Sequence, residues 1–182
     1  MFALLVIDMQ AGLFSPQTPR FDARGVVRRI NELIRAARKS ATPVVFVRHA
    51  GRPGESLEPG TPGWEILPDL DRADSDPVVD KAACDAFCRT NLHAVLQGLG
   101  ASRLVLAGCC TDFCVDTTLR AAASLGYEVF AASDAHTTAD RPHLDAEEVI
   151  RHHNWVWEEL ITPESAIRVL PTAKLLPLLE VR

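Results

Sequence analysis

Short apolar runs rich in β-branched residues alternate with helix-patterned stretches along this chain, and no other feature constrains its fold as much. FALLVI (2–7), PVVFVRH (43–49), PVVDK (77–81), RLVLAG (103–108), YEVFAAS (127–133) and AIRVL (166–170) read as strands. They are nearly continuous in apolar residues rather than alternating, which is the pattern of parallel strands covered on both faces. Between them, Val26, Val27, Ile30, Leu33, Ile34 and Ala37 recur at helical spacing, with Arg28, Arg29, Glu32, Arg35 and Arg38 on the opposite side. Helices are predicted over 86–99 and 117–125, each ending at a glycine, Gly100 and Gly126. The second half of the segment 135–160 reads as an amphipathic helix. A β-α-β-α order of this kind predicts an α/β fold: an open, mostly parallel sheet of about six strands with helices on both faces, and one domain over 1–182.

The composition excludes several classes. With 47% hydrophobic residues, 24% charged residues and a net charge of -5, the chain lacks the basic patch that phosphate binding requires, so no nucleic acid is expected. The densest basic group, Arg28 to Lys39, is the wet face of a helix. The apolar start stops at Asp8 and no run approaches the length of a membrane span. An odd count of five cysteines without a leader points to a reducing cytoplasm, where thiols act as nucleophiles, ligands or small core residues. Residues 50–76 form a long Gly-, Pro- and Asp-rich loop whose Trp64, Ile66 and Leu67 suit an ordered segment near a pocket.

In an open parallel sheet, ligands bind beyond the C-terminal ends of the strands. Asp8 follows the first strand, Lys81 ends the third, and the turn from Gly108 to Cys114 follows the fourth. A carboxylate, an ammonium and a thiol from three parts of the chain therefore reach one sheet edge. That is a nucleophile with a base and a charge partner. Cys114 is expected at the start of a helix from about Val115 to Leu125, where the helix dipole and Lys81 would lower its pKa. A rival arrangement is a zinc-binding scaffold without catalysis, because Cys84 and Cys88, and Cys110 and Cys114, repeat a C-x₃-C spacing. Otherwise Cys84, Cys88 and Cys109 read as small buried hydrophobes. His136, His143, His152 and His153 read as solvated or capping residues. Phe14 and Trp64 are candidates either for the core or for a substrate pocket. Trp155 and Trp157 suit a core or subunit contact, consistent with a homo-oligomer.

Three blocks, LLVIDMQAGLF (4–14), VVDKAACDAFCRTNL (78–92) and GCCTDFCVDTTLRAAASLGY (108–127), followed by Asp134-Ala135, resemble the isochorismatase-like cysteine hydrolases, which include nicotinamidases, N-carbamoylsarcosine amidases and ureidoacrylate amidohydrolases. The resemblance implies a Rossmann-like three-layer α/β/α sandwich with a six-stranded parallel sheet, and a catalytic triad of Asp8, Lys81 and Cys114. It also implies a cis peptide between Cys109 and Cys110, with the N–H groups of Cys110 and Cys114 as an oxyanion hole. Cleavage of the C–N bond of a small amide or carbamoyl compound follows, with no cofactor. Nicotinamidases hold a metal with an Asp-x-His pair and further histidines. Here that stretch reads Val47-Arg48-His49, so no metal is carried over.

Overall fold

The computed structural model describes residues 1–162 and 167–180. Six strands form one parallel sheet: β1 (Phe2–Ile7), β2 (Val44–His49), β3 (Val78–Lys81), β4 (Arg103–Cys109), β5 (Glu128–Thr137) and β6 (Arg168–Leu170), in the order β3-β2-β1-β4-β5-β6. Ala166, the first residue of the expected sixth strand, lies outside the described residues. Helices α1 (Ala23–Lys39) and α5 (Thr172–Leu179) cover one face. On the other lie α2 (Leu92–Gly98), α3 (Asp116–Ser124) and α4 (Ala146–Glu158). This is the three-layer α/β/α sandwich.

The pleat of β1 divides its side chains between the two layers. Leu4 and Val6 join Ile30, Leu33, Leu175 and Leu179 on one face, while Ala3, Leu5 and Ile7 join Leu92, Leu96, Leu119 and Trp157 on the other. Each fully buried aliphatic side chain contributes about 1.5–3 kcal/mol relative to exposure. This two-sided burial is why the strands read as unbroken apolar runs.

The chain winds from β1 outward through β2 to β3, then returns to place β4 against the other side of β1. The reversal of strand order opens a crevice at the C-terminal ends of β1 and β4. Gly108 permits the close approach there: it has φ 126°, and a Cβ on it would lie 2.1 Å from the Ile7 carbonyl oxygen.

Three elements depart from the sequence expectation. The helix expected over 86–99 is confined to Leu92–Gly98, and residues 82–91 run in turns. Arg89 adopts φ 56°, and the Thr90 hydroxyl donates to the Ala86 carbonyl at 2.6 Å and accepts from the Leu92 N–H at 3.2 Å. These local bonds compete with a helical ladder. Strand β5 runs four residues beyond its expected end and so includes Asp134, with a register shift against β4 between Leu106 and Gly108. Finally, the helix expected to start near Val115 is preceded by a wide π-type turn, Thr111–Val115, that leads directly into α3.

The long loop 50–76 is laid along the segment after β1. Leu67 N–H donates to the Met9 carbonyl (2.9 Å), Ala11 N–H to Glu65 (2.9 Å) and Gly12 N–H to Gly63 (2.8 Å). Among the described residues no helix is long and apolar enough to cross a membrane.

Candidate active site

Asp8, Lys81 and Cys114 meet at the crevice between β1 and β4. Asp8 and Lys81 are 1% and 2% exposed, and the Lys81 Nζ lies 2.7 Å from Asp8 Oδ2 and 3.2 Å from Cys114 Sγ. The ammonium also donates to the Ala83 carbonyl at 3.0 Å and stands 3.4 Å from His49 Nδ1. Asp8 itself adopts φ 47°, a conformation that costs a non-glycine residue roughly 1–3 kcal/mol and needs the surroundings to enforce it. Its Oδ1 is buried without a hydrogen-bond partner.

Burial drives the electrostatics of this group. It pushes the Asp8 carboxyl above its ordinary range, against the opposing pull of Lys81 and of the Cys114 thiol. Lys81 is raised, since the attraction of Asp8 and Cys114 outweighs its desolvation. The expectation of a lowered Cys114 pKa is corrected: burial and the Asp8 carboxylate push the thiol up, and Lys81 offsets only part of this. Two raised acids facing one ammonium amount to a site that holds one negative charge and one shared proton. Cys114 also stands inside the wide turn rather than at a simple helix start. There the Cys110 carbonyl accepts from the N–H groups of Phe113 and Val115, both at 3.1 Å, and passes over that of Cys114. The peptide bond between Cys109 and Cys110 is cis.

The other candidates fall elsewhere. Phe14 lines a groove of about 600 Å³ with Val27, Arg28 and Leu67 along α1, not the triad. Trp64 lies under the Arg48 guanidinium, 3.3 Å from the ring centroid, and its Nε1 is buried without a partner. Cys84 and Cys88 are exposed rather than buried, in the irregular stretch before α2, whereas Cys109 and Cys110 are buried. Among the described residues no three His, Cys, Asp or Glu side chains converge as a metal site would require, so the four thiols of the zinc arrangement do not come together. Burial and then the Lys81 ammonium push the His49 pKa below its ordinary value, against the opposing pull of Asp8 and Glu55. His136 is buried, not solvated, and Trp157 is fully buried while Trp155 is 61% exposed.

Several site-building residues carried no sequence signal strong enough to single them out. Gln10, fully buried, donates to the carbonyls of His49 (2.9 Å) and Trp64 (2.8 Å) and accepts from the His49 N–H (2.8 Å), tying the end of β2 to the long loop. Asp112, two residues before Cys114, forms a bidentate pair with Arg141. A carboxylate so close to a candidate nucleophile was the visible hint. Its distant partner was not visible.

The Isochorismatase domain model matches residues 2–162. A streptothricin hydrolase of Streptomyces noursei is 36% identical over 140 residues, 77% of this chain and 51% of its own length, so the chain spans about half of that relative. Nicotinamidase 3 of Arabidopsis thaliana is 29% identical over 150 residues, covering 75% of this chain and 73% of its own. The crystal structure of a cysteine hydrolase from Pseudomonas syringae pv. phaseolicola 1448A superposes with a TM-score of 0.89 at 25% identity, covering 98% of this chain and 92% of that one. A parallel sheet that reverses its strand order at the crevice, together with a sequence match over nearly the whole chain, establishes that this chain belongs to the isochorismatase family.

Proposed function

We propose that the protein is a cysteine hydrolase that cleaves the C–N bond of a small amide or carbamoyl compound, with Cys114 as nucleophile, Asp8 as general base and acid, and Lys81 as their charge partner. The observation that carries this reading is the single buried ammonium within 2.7 Å of the Asp8 carboxylate and 3.2 Å of the Cys114 sulfur. A surface lysine in a structural ion pair has no reason to be desolvated beside a thiol. The amide-cleaving names among the relatives, nicotinamidase and ureidoacrylate amidohydrolase, support the same bond type.

In this mechanism the shared proton passes from Cys114 to Asp8 as the sulfur attacks the carbonyl carbon. The oxyanion that forms is held by the N–H groups of Cys110 and Cys114, the second of which the wide turn leaves out of the Cys110 carbonyl's bonds. The C–N bond then breaks and Asp8 returns the proton to the departing nitrogen, leaving a thioester on Cys114. Water loses a proton to Asp8 as it attacks the thioester, and Cys114 recovers the proton when the acid product leaves. Lys81 balances the one negative charge that Asp8 and Cys114 share, so the site is neutral before charge develops on the substrate carbonyl, and the ammonium compensates that charge as it moves.

A panel of small primary amides and ureido compounds, assayed for ammonia release with the wild-type protein and Cys114→Ala, tests the proposal. Release by the wild type that disappears in Cys114→Ala is expected. Turnover that survives in Cys114→Ala, or no turnover of any member, would count against it.

A further inference from the structure

The wide turn that carries the nucleophile is braced from two sides by side chains at and beyond the end of β5. On one side the Thr111 hydroxyl and His136 Nδ1 are 2.8 Å apart, His136 Nε2 lies 3.0 Å from Asn154 Oδ1, and Asn154 Nδ2 donates to the Ser133 carbonyl at 3.0 Å. On the other, Arg141 donates to both oxygens of Asp112, at 2.7 and 2.8 Å, and the Thr138 hydroxyl donates to Asp112 at 2.7 Å. The Arg141 side chain is 23% exposed and that of Asp112 15%, so solvent screens this pair only in part. Arg141 is itself anchored by its N–H to the Leu144 carbonyl, 2.8 Å, and its guanidinium faces the Phe113 ring at 5.1 Å.

We propose that Arg141 is a positioning residue for the nucleophile: its two-pronged grip on Asp112 keeps residues 111–115 in the wide turn, and so keeps Cys114 aimed at Lys81. The inference rests on the hydrolase reading of the same site. A π-type turn is rare beside the α-helix, occurs mostly as a single turn, and is frequent at functional sites. Relaxation to an α-helical turn would carry the Cys114 N–H onto the Cys110 carbonyl and rotate the Cys114 side chain by a large part of the ~100° that separates successive helical residues. Both changes would harm the site, the first by consuming a proposed oxyanion donor and the second by moving the sulfur from Lys81 and Asp8. Asp112 stands in the first turn, where a fixed grip acts on the geometry of the residues that follow. A bidentate guanidinium–carboxylate pair sets direction as well as distance, which a single lysine contact cannot. Arg141 touches none of the reacting atoms.

The test compares wild type, Arg141→Ala and Arg141→Lys by the rate at which iodoacetamide alkylates Cys114, read by peptide mass mapping, with thermal melting as the check on folding. Arg141→Ala is expected to change the Cys114 alkylation rate about 10-fold or more, because the sulfur leaves the carboxylate and the burial that raise its pKa together with the ammonium that lowers it, and one pKa unit is worth about that factor. Added guanidinium chloride at low millimolar concentration should reverse part of the change, and Arg141→Lys should fall between the two. For any amide that the wild type hydrolyses, kcat should fall with KM nearly unchanged. An unchanged Cys114 rate in folded Arg141→Ala, a change that guanidinium does not reverse, or a rise in KM at constant kcat would overturn the proposal. Should Arg141→Ala fail to fold, Thr138→Val removes the hydroxyl that donates to Asp112 at 2.7 Å and accepts from Arg141 Nη2 at 2.6 Å but leaves both charges of the pair in place, and is expected to change the Cys114 alkylation rate by a smaller factor. No change in that variant would overturn the proposal too. An alkylation rate that depends on Arg141 in a protein that hydrolyses no amide would leave the positioning role standing and the hydrolase reading refuted. The reverse pattern would do the opposite.

Discussion

In the proposed mechanism Asp8 acts on Cys114 in two opposing ways, and the two can be separated by experiment. As the proposed base, Asp8 would take the thiol proton. As a nearby negative charge, it pushes the thiol up. Asp8→Asn should therefore lower kcat by at least ~10², the usual share of general acid–base catalysis. Iodoacetamide labelling of Cys114 in the same variant should be at least as fast as in wild type, because Lys81 then faces the sulfur without a competing carboxylate. Loss of both activities together would mean that Asp8 acts through folding alone. In the wild type, activity should vanish as pH falls through the ionisation shared by Asp8 and Cys114, which burial places above the ordinary carboxylate range. Lys81→Met leaves the Asp8 carboxylate buried without its cation and should cost about 3–5 kcal/mol of stability, measurable by urea unfolding.

At the level of elements, the site is a junction of strand ends that holds only while the connecting segments are tied down. Gln10 is the tie between β2 and the long loop, with three hydrogen bonds from a side chain that solvent does not reach. Gln10→Ala would orphan the His49 N–H and the carbonyls of His49 and Trp64. A destabilisation of about 3 kcal/mol is expected, since buried groups left unpaired cost roughly 1–3 kcal/mol each and some of these will find water. Limited proteolysis should cut within 50–63 faster in this variant, and an unchanged cleavage rate would show that the loop is held by its apolar contacts alone. Gly108→Ala tests the crevice in the same manner. Its φ of 126° and the 2.1 Å approach to the Ile7 carbonyl leave no place for a methyl group, so at least ~3 kcal/mol should be lost.

Across the whole molecule, the buried His136 links α4, β5 and the turn that carries Cys114, and it makes the fold sensitive to acid. Burial lowers its pKa to about 4 from 6.5, so between those values the unfolded chain binds a proton that the folded chain refuses. Stability from this residue is complete above pH 6.5 and falls as pH drops toward 4, at up to about 1.4 kcal/mol per pH unit. Chemical denaturation from pH 7 to 4.5 should reveal this slope, and His136→Gln should flatten it even if its stability at pH 7 is lower. A slope equal in both proteins would assign the acid sensitivity to other groups. The same residue illustrates how far sequence reading extends: among four histidines in one segment, nothing local distinguishes the one that is buried.

What the sequence alone determined is what periodicity and chain order control. Six apolar runs, two-sided burial, helices that end at Gly100 and Gly126, and the arrival of Asp8, Lys81 and the 108–114 turn at one sheet edge all follow from patterns within a few residues of each position. Tertiary structure decided the rest, because the deciding partners lie far along the chain. The turns over 82–91 arise where Thr118, more than thirty positions away, bonds to Cys84 and Ala86. Phe14 faces α1 instead of the triad because the long loop folds back along residues 9–12. The direction of the Cys114 shift reversed for the same reason. A helix dipole and a lysine can be read from neighbours in sequence, but the desolvation that outweighs them exists only once the sheet has closed around the site.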